Sequence, residues 1–460
     1  MEPSLPFSSA CLSLWHRGTR SFTHLNANRQ EDVPTSAKYV IIGSGISGAL
    51  TAWKLIEDGA KGEDILILEA REAVSGASGR NAGHIRPDAF RGFLHYSSLH
   101  GPEQAKKILE NEQIVLKSIR KFVTDHRINS DFTDTTTFET CLTQEAADYT
   151  AKALLAYKAA GGDVSEVQVH EGDEAKTKTR VPNAISAYEW PAASNNPVKL
   201  VQWILTDFIA KGGRLWTHCP ATKVTKHATR DATTAGASAS AKWDIHTPRG
   251  TVAAETVVHC TNAYASFLLP NLANFITPRR SQVNSFVPCP SLSGAETLKN
   301  TMALRYSANH FFSVNPLRDG TINFGGTGTR DGSDPETENW KALPTFDDRC
   351  FNSSLVKNSQ LEFENLASGP GNDPLRLGEG FDYAWTGIQG ITPDNAPLVG
   401  PVGGLEGQWI CAGFNGHGMA TIFTCAPGLV MLMSGKGWEA TGLPECFQAG
   451  RVNRKQRSAL

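Results

Sequence analysis

The spacing of apolar positions changes abruptly near residue 43. Tyr39 to Ile42 form a short continuous apolar run, the pattern of a buried strand. From Ile46 the apolar residues Ile46, Ala49, Leu50 and Trp53 recur at i, i+3, i+4 and i+7, the stripe of a helix that Gly59 ends. A second buried run over 64–68 comes next and closes on Glu69. Gly101-Pro102 then opens a long amphipathic helix with Ala105, Ile108, Leu109, Ile119 and Phe122 on its inner side. Another helix spans about 144 to Gly161-Gly162, and Asn196-Pro197 supplies N-cap and N1 chemistry for a third, ended by Gly212-Gly213. Four segments, over 214–217, around Val224, over 242–245 and over 250–253, predict a β-meander, with a separate buried strand at 256–260. A β-rich section covers about 278–324, and 331–376 mix helical pattern with Pro/Gly-rich loop. Residues 228–241, rich in Ala, Thr and Ser, read as a solvated loop. Near the end, 408–412 again reads as strand and runs into Gly413-Phe-Asn-Gly-His-Gly-Met419. A helix carried by Ile422, Ala426, Leu429, Val430 and Met433 comes after it.

The first change of period coincides with Gly43-x-Gly45-x-x-Gly48, between a strand and a helix. Gly43 permits a tight turn, Gly45 lets backbone N–H groups approach a pyrophosphate, and Gly48 lets helix and strand pack closely. The helix N-terminus brings unpaired donors and roughly half an elementary positive charge to the phosphates. Glu69, about twenty residues past the last glycine, is placed to accept hydrogen bonds from ribose hydroxyls. The plainer reading is a glycine-rich turn without a ligand, but strand, helix and acid together point to a dinucleotide. The motif leaves FAD and NAD both open.

Composition narrows the class. The 460 residues carry a net charge of −2, 40% hydrophobic residues and a mean hydropathy of −0.28, as in a soluble globular protein with a sizeable core. The charge balance offers no footprint for nucleic acid, and no apolar run approaches the roughly 20 residues that span a bilayer. Nine scattered cysteines without a CxxC pair imply free thiols in a reducing compartment. The thirteen histidines show no metal-ligand spacing, so no metal is expected. Residues 3–30 contain no acid while including Arg17, Arg20 and Arg29. They read as an N-terminal arm packing through Leu14, Trp15 and Phe22, with an organelle transit segment as the alternative. Cytoplasmic residence is expected, against mitochondrial targeting by that segment or peroxisomal targeting by Ser458-Ala-Leu460, which lacks the usual basic middle residue.

Further glycine-rich and polar stretches complete the pattern: Ser78-Gly-Arg-Asn-Ala-Gly83, Thr261-Asn-Ala-Tyr264, Trp385-Thr-Gly-x-x-Gly-x-Thr-x-Asp394 and Gly413-Phe-Asn-Gly-His-Gly418. With the first glycine turn and Glu69, they make the chain resemble the D-amino-acid oxidase/sarcosine oxidase (DAO) type of FAD-dependent oxidoreductase, from Ser36 to about Met433. The resemblance implies an α/β fold. Its Rossmann-like FAD-binding domain would be discontinuous in sequence, over 36–100, 181–275 and 380–440. An α+β substrate domain, over 101–180 and 276–379, would roof the flavin with a mixed β-sheet. Residues 1–35 would be an arm and 441–460 a C-terminal tail. It further implies FAD contacts at Gly43, Gly45, Ile46, Ser47, Gly48, Glu69, Ala70 and Arg71, and at Ser78, Arg80, Asn81, Ala82 and Gly83. Val224, Thr261 and Asn262 come next, then Gly413, Asn415, Gly416, His417, Gly418 and Met419. Arg86, His310, Trp385 and His417 are the candidates for catalysis: Arg86 to pair with a substrate carboxylate, Trp385 to wall the pocket, His417 to lie near the flavin. Salt bridging for Arg86 and plain core packing for Trp385 are the blander readings. His84 is within reach of a flavin as a hydrogen-bonding group or a covalent attachment point.

The implied reaction is oxidation of a C–N bond in an amine or amino acid by hydride transfer to flavin N5, giving an imine that water hydrolyses. N–H donors at the start of the last helix, from Gly416 to Gly418, would stabilise the reduced flavin. Molecular oxygen or another electron acceptor would complete the cycle. Some features depart from the sarcosine-oxidase pattern. Tyr383-Ala384 stands where that pattern has the flavin-linking cysteine, Asn323 where it has a roof lysine, and Ala420 where a lysine succeeds the Gly-His-Gly turn. An FAD-dependent dehydrogenase, a biosynthetic flavoenzyme acting on a non-amine substrate, and a non-catalytic flavin-binding protein therefore stay open beside an amine oxidase.

Overall fold

The computed structural model describes residues 2–227, 240–308, 310–326, 343–367 and 374–452. Residues 228–239 of the loop read over 228–241, the Ser458–Leu460 ending, and 331–342 and 368–373 of the mixed segment lie outside the described residues; Ser353–Ala367 of that segment is a helix.

Two sheets carry the chain. The first runs in the order Leu398–Pro401, Gln408–Ala412, Gly250–His259, Ser36–Ile42, Ile65–Leu68, Arg214–Trp216. From Gln408–Ala412 onward all neighbours pair in parallel, and Leu398–Pro401 joins antiparallel. Parallel strands covered on both faces must be apolar throughout. Val40, Ile41 and all of Ile65–Leu68 are accordingly buried. The helices Ile46–Glu57, Pro197–Ala210 and Ile422–Met433 pack side by side against this layer. Asn196 caps the second of them as its sequence predicts, its side chain accepting from Lys199 N–H.

The predicted meander is altered in two ways. Lys223–Lys226 and Trp243–Thr247 do form a hairpin on Gly250–Ala254, but Arg214–Trp216 leaves it to pair in parallel with Ile65–Leu68. The segments read as two strands, 250–253 and 256–260, are one continuous strand, Gly250–His259. Its first half pairs with the hairpin and its second with the central strand and Gln408–Ala412.

The second sheet is mixed, in the order Gly380–Ile391, Thr277–Val287, Ile322–Gly326, Phe311–Pro316, Thr301–Arg305, Thr133–Cys141, Ser186–Ser194, His84–Ile85. Only Thr301–Arg305 and Thr133–Cys141 pair in parallel along that path. Gly380–Ile391, Ser186–Ser194 and His84–Ile85, grouped with the nucleotide-binding segments on sequence, thus belong to this sheet. The long helix Pro102–Asp125 and the helix Gln144–Ala159 start where the sequence places them.

The N-terminal arm is part of the fold. Trp15 is buried in the main core cluster and Phe22 packs on it. Backbone bonds from Ala73 N to Leu25 O and from Thr217 N to Ala27 O, each 3.0 Å, tie the arm to the first sheet's connections. Among the described residues no helix is long and apolar enough to cross a membrane.

Candidate active site

A cavity of about 690 Å³ runs between the two sheets, from the Gly43–Ser47 turn to the Gly416–Met419 turn. That is within the size range of cofactor sites.

At one end, the local geometry explains the glycines. Gly43 has φ +107°, and a Cβ there would sit 2.8 Å from Cys260 O; one on Gly48 would sit 2.0 Å from Gly43 O. Helix and strand can meet this closely only without side chains. Glu69 is clamped beside the turn: one carboxylate oxygen accepts from Ser44 N and Oγ at 3.0 and 2.7 Å, the other from Arg71 N at 2.9 Å. Ser78 Oγ accepts from Ile46 N at 2.9 Å, fastening the 76–83 loop to the start of the helix.

Asn262 braces the second glycine turn. It adopts φ +47°, and its Oδ1 accepts from Gly413 N and Phe414 N at 2.9 and 3.1 Å. Asn415, also left-handed, takes Thr392 N on its Oδ1 at 2.7 Å. The helix expected directly after Gly418 begins at Ile422, after a short 3₁₀ turn over Gly418–Ala420. The donors facing the cavity are therefore those of a tight turn rather than of the helix's own first residues.

Gly43, Gly45, Ile46, Ser47, Glu69, Ala70, Arg71, Ser78, Arg80, Asn81 and Ala82 line the cavity, as do Thr261, Asn262, Gly416, His417, Gly418 and Met419. Five other predicted contact residues do not. Gly48 and Gly83 serve close approach, with a Cβ on Gly83 falling 2.9 Å from Asn195 O and from the Trp15 ring. Gly413 and Asn415 shape the turn behind it. Val224 lies on the hairpin, and Pro220 and Ala221 take the place expected of it in the wall. Arg80 reaches the cavity with its guanidinium engaged elsewhere, donating to Ser75 O at 2.7 Å and Thr386 O at 2.9 Å.

Two catalytic candidates are displaced. Trp385 is fully buried, outside the lining, and donates to Arg80 O at 2.8 Å. His310 stacks on Tyr306, ring centroids 5.2 Å apart, and is also outside the lining. Asn323 is likewise outside the lining, its Nδ2 3.5 Å from Ala82 O. Arg86 and His417 do line the cavity.

Over the cavity's far end the roof strands assemble an ionic group that single-segment reading misses. Glu139, fully buried, accepts from Arg86 Nη2 at 2.6 Å and from Arg305 Nε. Burial would raise its pKa, but the Arg305 and Arg86 charges outweigh that and bring it down to about 2. Arg305 Nη2 is buried without a hydrogen-bond partner. Arg305 Cζ lies 4.3 Å over the Phe311 ring, and Arg86 Cζ 4.9 Å over that of Trp190. Two guanidinium groups thus share one carboxylate.

Beside them His84 presents two buried ring nitrogens with no partner, and burial, aided by Arg86, lowers its pKa to about 3. Burial also lowers His417, with the charge on Asp88 opposing. Glu112, behind His417 at 3.8 Å, has its pKa raised by burial and by the Asp88 charge, against the bond its Oε2 accepts from Asp88 N at 2.6 Å.

The cavity fits an FAD. It connects both glycine turns, and its lining residues carry buried polar atoms without a protein partner, among them Thr261 Oγ1, Arg305 Nη2 and the His84 nitrogens. The family model described as FAD dependent oxidoreductase (DAO) matches residues 38–430.

The chain belongs to this family of FAD-dependent oxidoreductases.

Solved structures place the oxidoreductase's fold beside several others. It is similar to L-proline dehydrogenase from P. horikoshii, with TM-score 0.68, 17% identity, and 92% of this chain and 99% of that one covered. Glycine oxidase from Geobacillus kaustophilus gives 0.67, 19%, 88% and 96%. L-amino acid deaminase from Proteus vulgaris, with its specific insertion deleted, gives 0.64, 18%, 91% and 95%. No curated protein matches by sequence.

Proposed function

We propose that the oxidoreductase removes a hydride from the carbon next to the nitrogen of a carboxylate-bearing amine, an amino acid or its N-substituted relative, leaving an imine for water to hydrolyse. In this reading the parallel sheet and its helices are the FAD-binding domain and the mixed sheet the substrate domain. The observation that carries the proposal is the roof: Arg86 and Arg305 share Glu139, leaving one net positive charge and an unpartnered Arg305 Nη2 over the cavity. A substrate carboxylate satisfies both. The same surroundings favour the neutral amine that hydride loss requires. A net cation beside the neutral His84 disfavours an ammonium there. Bound FAD supplies the hydride acceptor; the protein's part is to orient the carbon and exclude water. The relatives named as oxidase, dehydrogenase and deaminase act on amino acids by their titles, which supports the substrate class.

An acceptor other than oxygen is the second reading. Among the described residues that line the cavity there is no lysine, and Asn323, at the roof position considered for one, has its Nδ2 3.5 Å from Ala82 O.

An anaerobic screen of amines and amino acids tests this reading. A carboxylate-bearing amine should bleach the flavin while its decarboxylated counterpart does so only weakly. Peroxide yield against dye reduction with that substrate then assigns the acceptor. Bleaching by uncharged amines alone would refute the role given to the roof.

A further inference from the structure

We propose that the N-terminal arm, residues 2–13, is the outer wall of the cofactor site at its adenylate end. It would thus be a binding element for the adenosine half of the dinucleotide that lies ahead of the family-matched region. This rests on the FAD reading above.

Leu5 and Pro6 line the same cavity as Gly43, Glu69 and Ala221. The next stretch of the arm, from Phe7 to Trp15, fixes their position. Phe7 O accepts from Arg71 Nη1 at 3.2 Å, and Arg71 N in turn donates to the Glu69 carboxylate that faces the ribose position. Arg349 covers the Phe7 ring at 4.1 Å. Cys11 N donates to Asp348 O at 3.1 Å, and Asp348 Oδ2 pairs with Arg71 at 2.9 Å. Tyr383 Oη donates to Leu12 O at 2.7 Å, Ser13 Oγ to Gly79 O, and Trp15 Nε1 to Asn81 O at 2.8 Å. The arm is therefore fastened to the 69–83 segment that lines the nucleotide end and to the 380–391 strand beyond it. Two half-buried apolar residues are held at the mouth. Such a wall keeps water from an adenine ring and has to move before a dinucleotide can leave.

The test compares the full-length holoprotein with a deletion of residues 2–8, which keeps the Cys11, Ser13 and Trp15 anchors, and with the double substitution Leu5→Gly/Pro6→Gly. FAD release is followed by the recovery of flavin fluorescence after dilution. Both variants should release FAD about tenfold faster than the full chain, the effect of losing some tens of Å² of apolar contact. The melting midpoint of the doubly substituted apoprotein, which keeps Phe7, should stay unchanged. Release at the full-length rate would overturn the proposal while leaving the FAD reading intact, whereas a full-length protein that takes up no FAD would remove the reading beneath it. If the deletion fails to fold, the double substitution decides the matter by the same readout.

Discussion

Glu139→Gln isolates the roof's ionic group. The substitution keeps the side chain's size and removes the counter-charge shared by two guanidinium groups, one of them 2% exposed and the other 14%. Breaking a buried pair so that a charge stays uncompensated costs about 3–5 kcal/mol. Linkage gives a matching figure. A carboxyl at about 2 in the folded chain, against an ordinary 4.5, contributes about 3 kcal/mol at neutral pH, at roughly 1.4 kcal/mol per unit. The folded pKa is depressed, so this stability is present above about 4.5 and is lost as pH falls towards 2. Urea unfolding of wild type and Glu139→Gln at pH 6 should therefore differ by about 3 kcal/mol at equal m-value. At pH 4 the gap should narrow by just under 1 kcal/mol, because wild-type Glu139 begins to lose its advantage there. A difference below about 1 kcal/mol at pH 6, or one that widens on acidification, would refute the account of the group.

Two further perturbations address other parts of the site. Gly48→Ala puts a Cβ 2.0 Å from Gly43 O; it should lower the melting midpoint and abolish FAD retention, checked by thermal melts and flavin absorbance after gel filtration, and normal retention would contradict the packing argument. Glu112→Gln replaces a carboxyl whose folded pKa is raised, first by burial and then by Asp88. Its stabilising contribution is complete below the unfolded pKa and is lost as pH rises, so the neutral variant should melt no lower than wild type at pH 6 and higher at pH 8. A loss exceeding about 1 kcal/mol at pH 8 would mean that Glu112 is needed as an anion.

Features set by local rules were legible in the sequence. The turn at Gly43–Gly48, the cap at Asn196 and the Gln408–Ala412 strand all stem from a period change, a side chain or a glycine within a few residues. The second sheet was only partly legible, because its pairing is remote. Thr133–Cys141 runs parallel to Thr301–Arg305 across some 160 residues of chain, and its threonine-rich sequence has strand propensity without the apolar alternation that draws attention. Glu139 became readable as a site residue, and as the partner of Arg305, only once that pairing set the two side by side. Each was a charge within a strand, and a buried charge demands a partner. Trp385 failed as a pocket wall for a related reason: a large aromatic beside a glycine-rich motif packs as well behind a site as in it. Leu5 and Pro6 carry no motif at all, and only the folded arm reveals them.

The central claim is that one FAD lies between the glycine turns at Gly43–Gly48 and Gly413–Gly418. Titrating the apoprotein with FAD, followed by gel filtration and flavin absorbance of the protein peak, measures this most directly. The account predicts saturation at one FAD per chain, and a protein peak that stays colourless at excess FAD would contradict it.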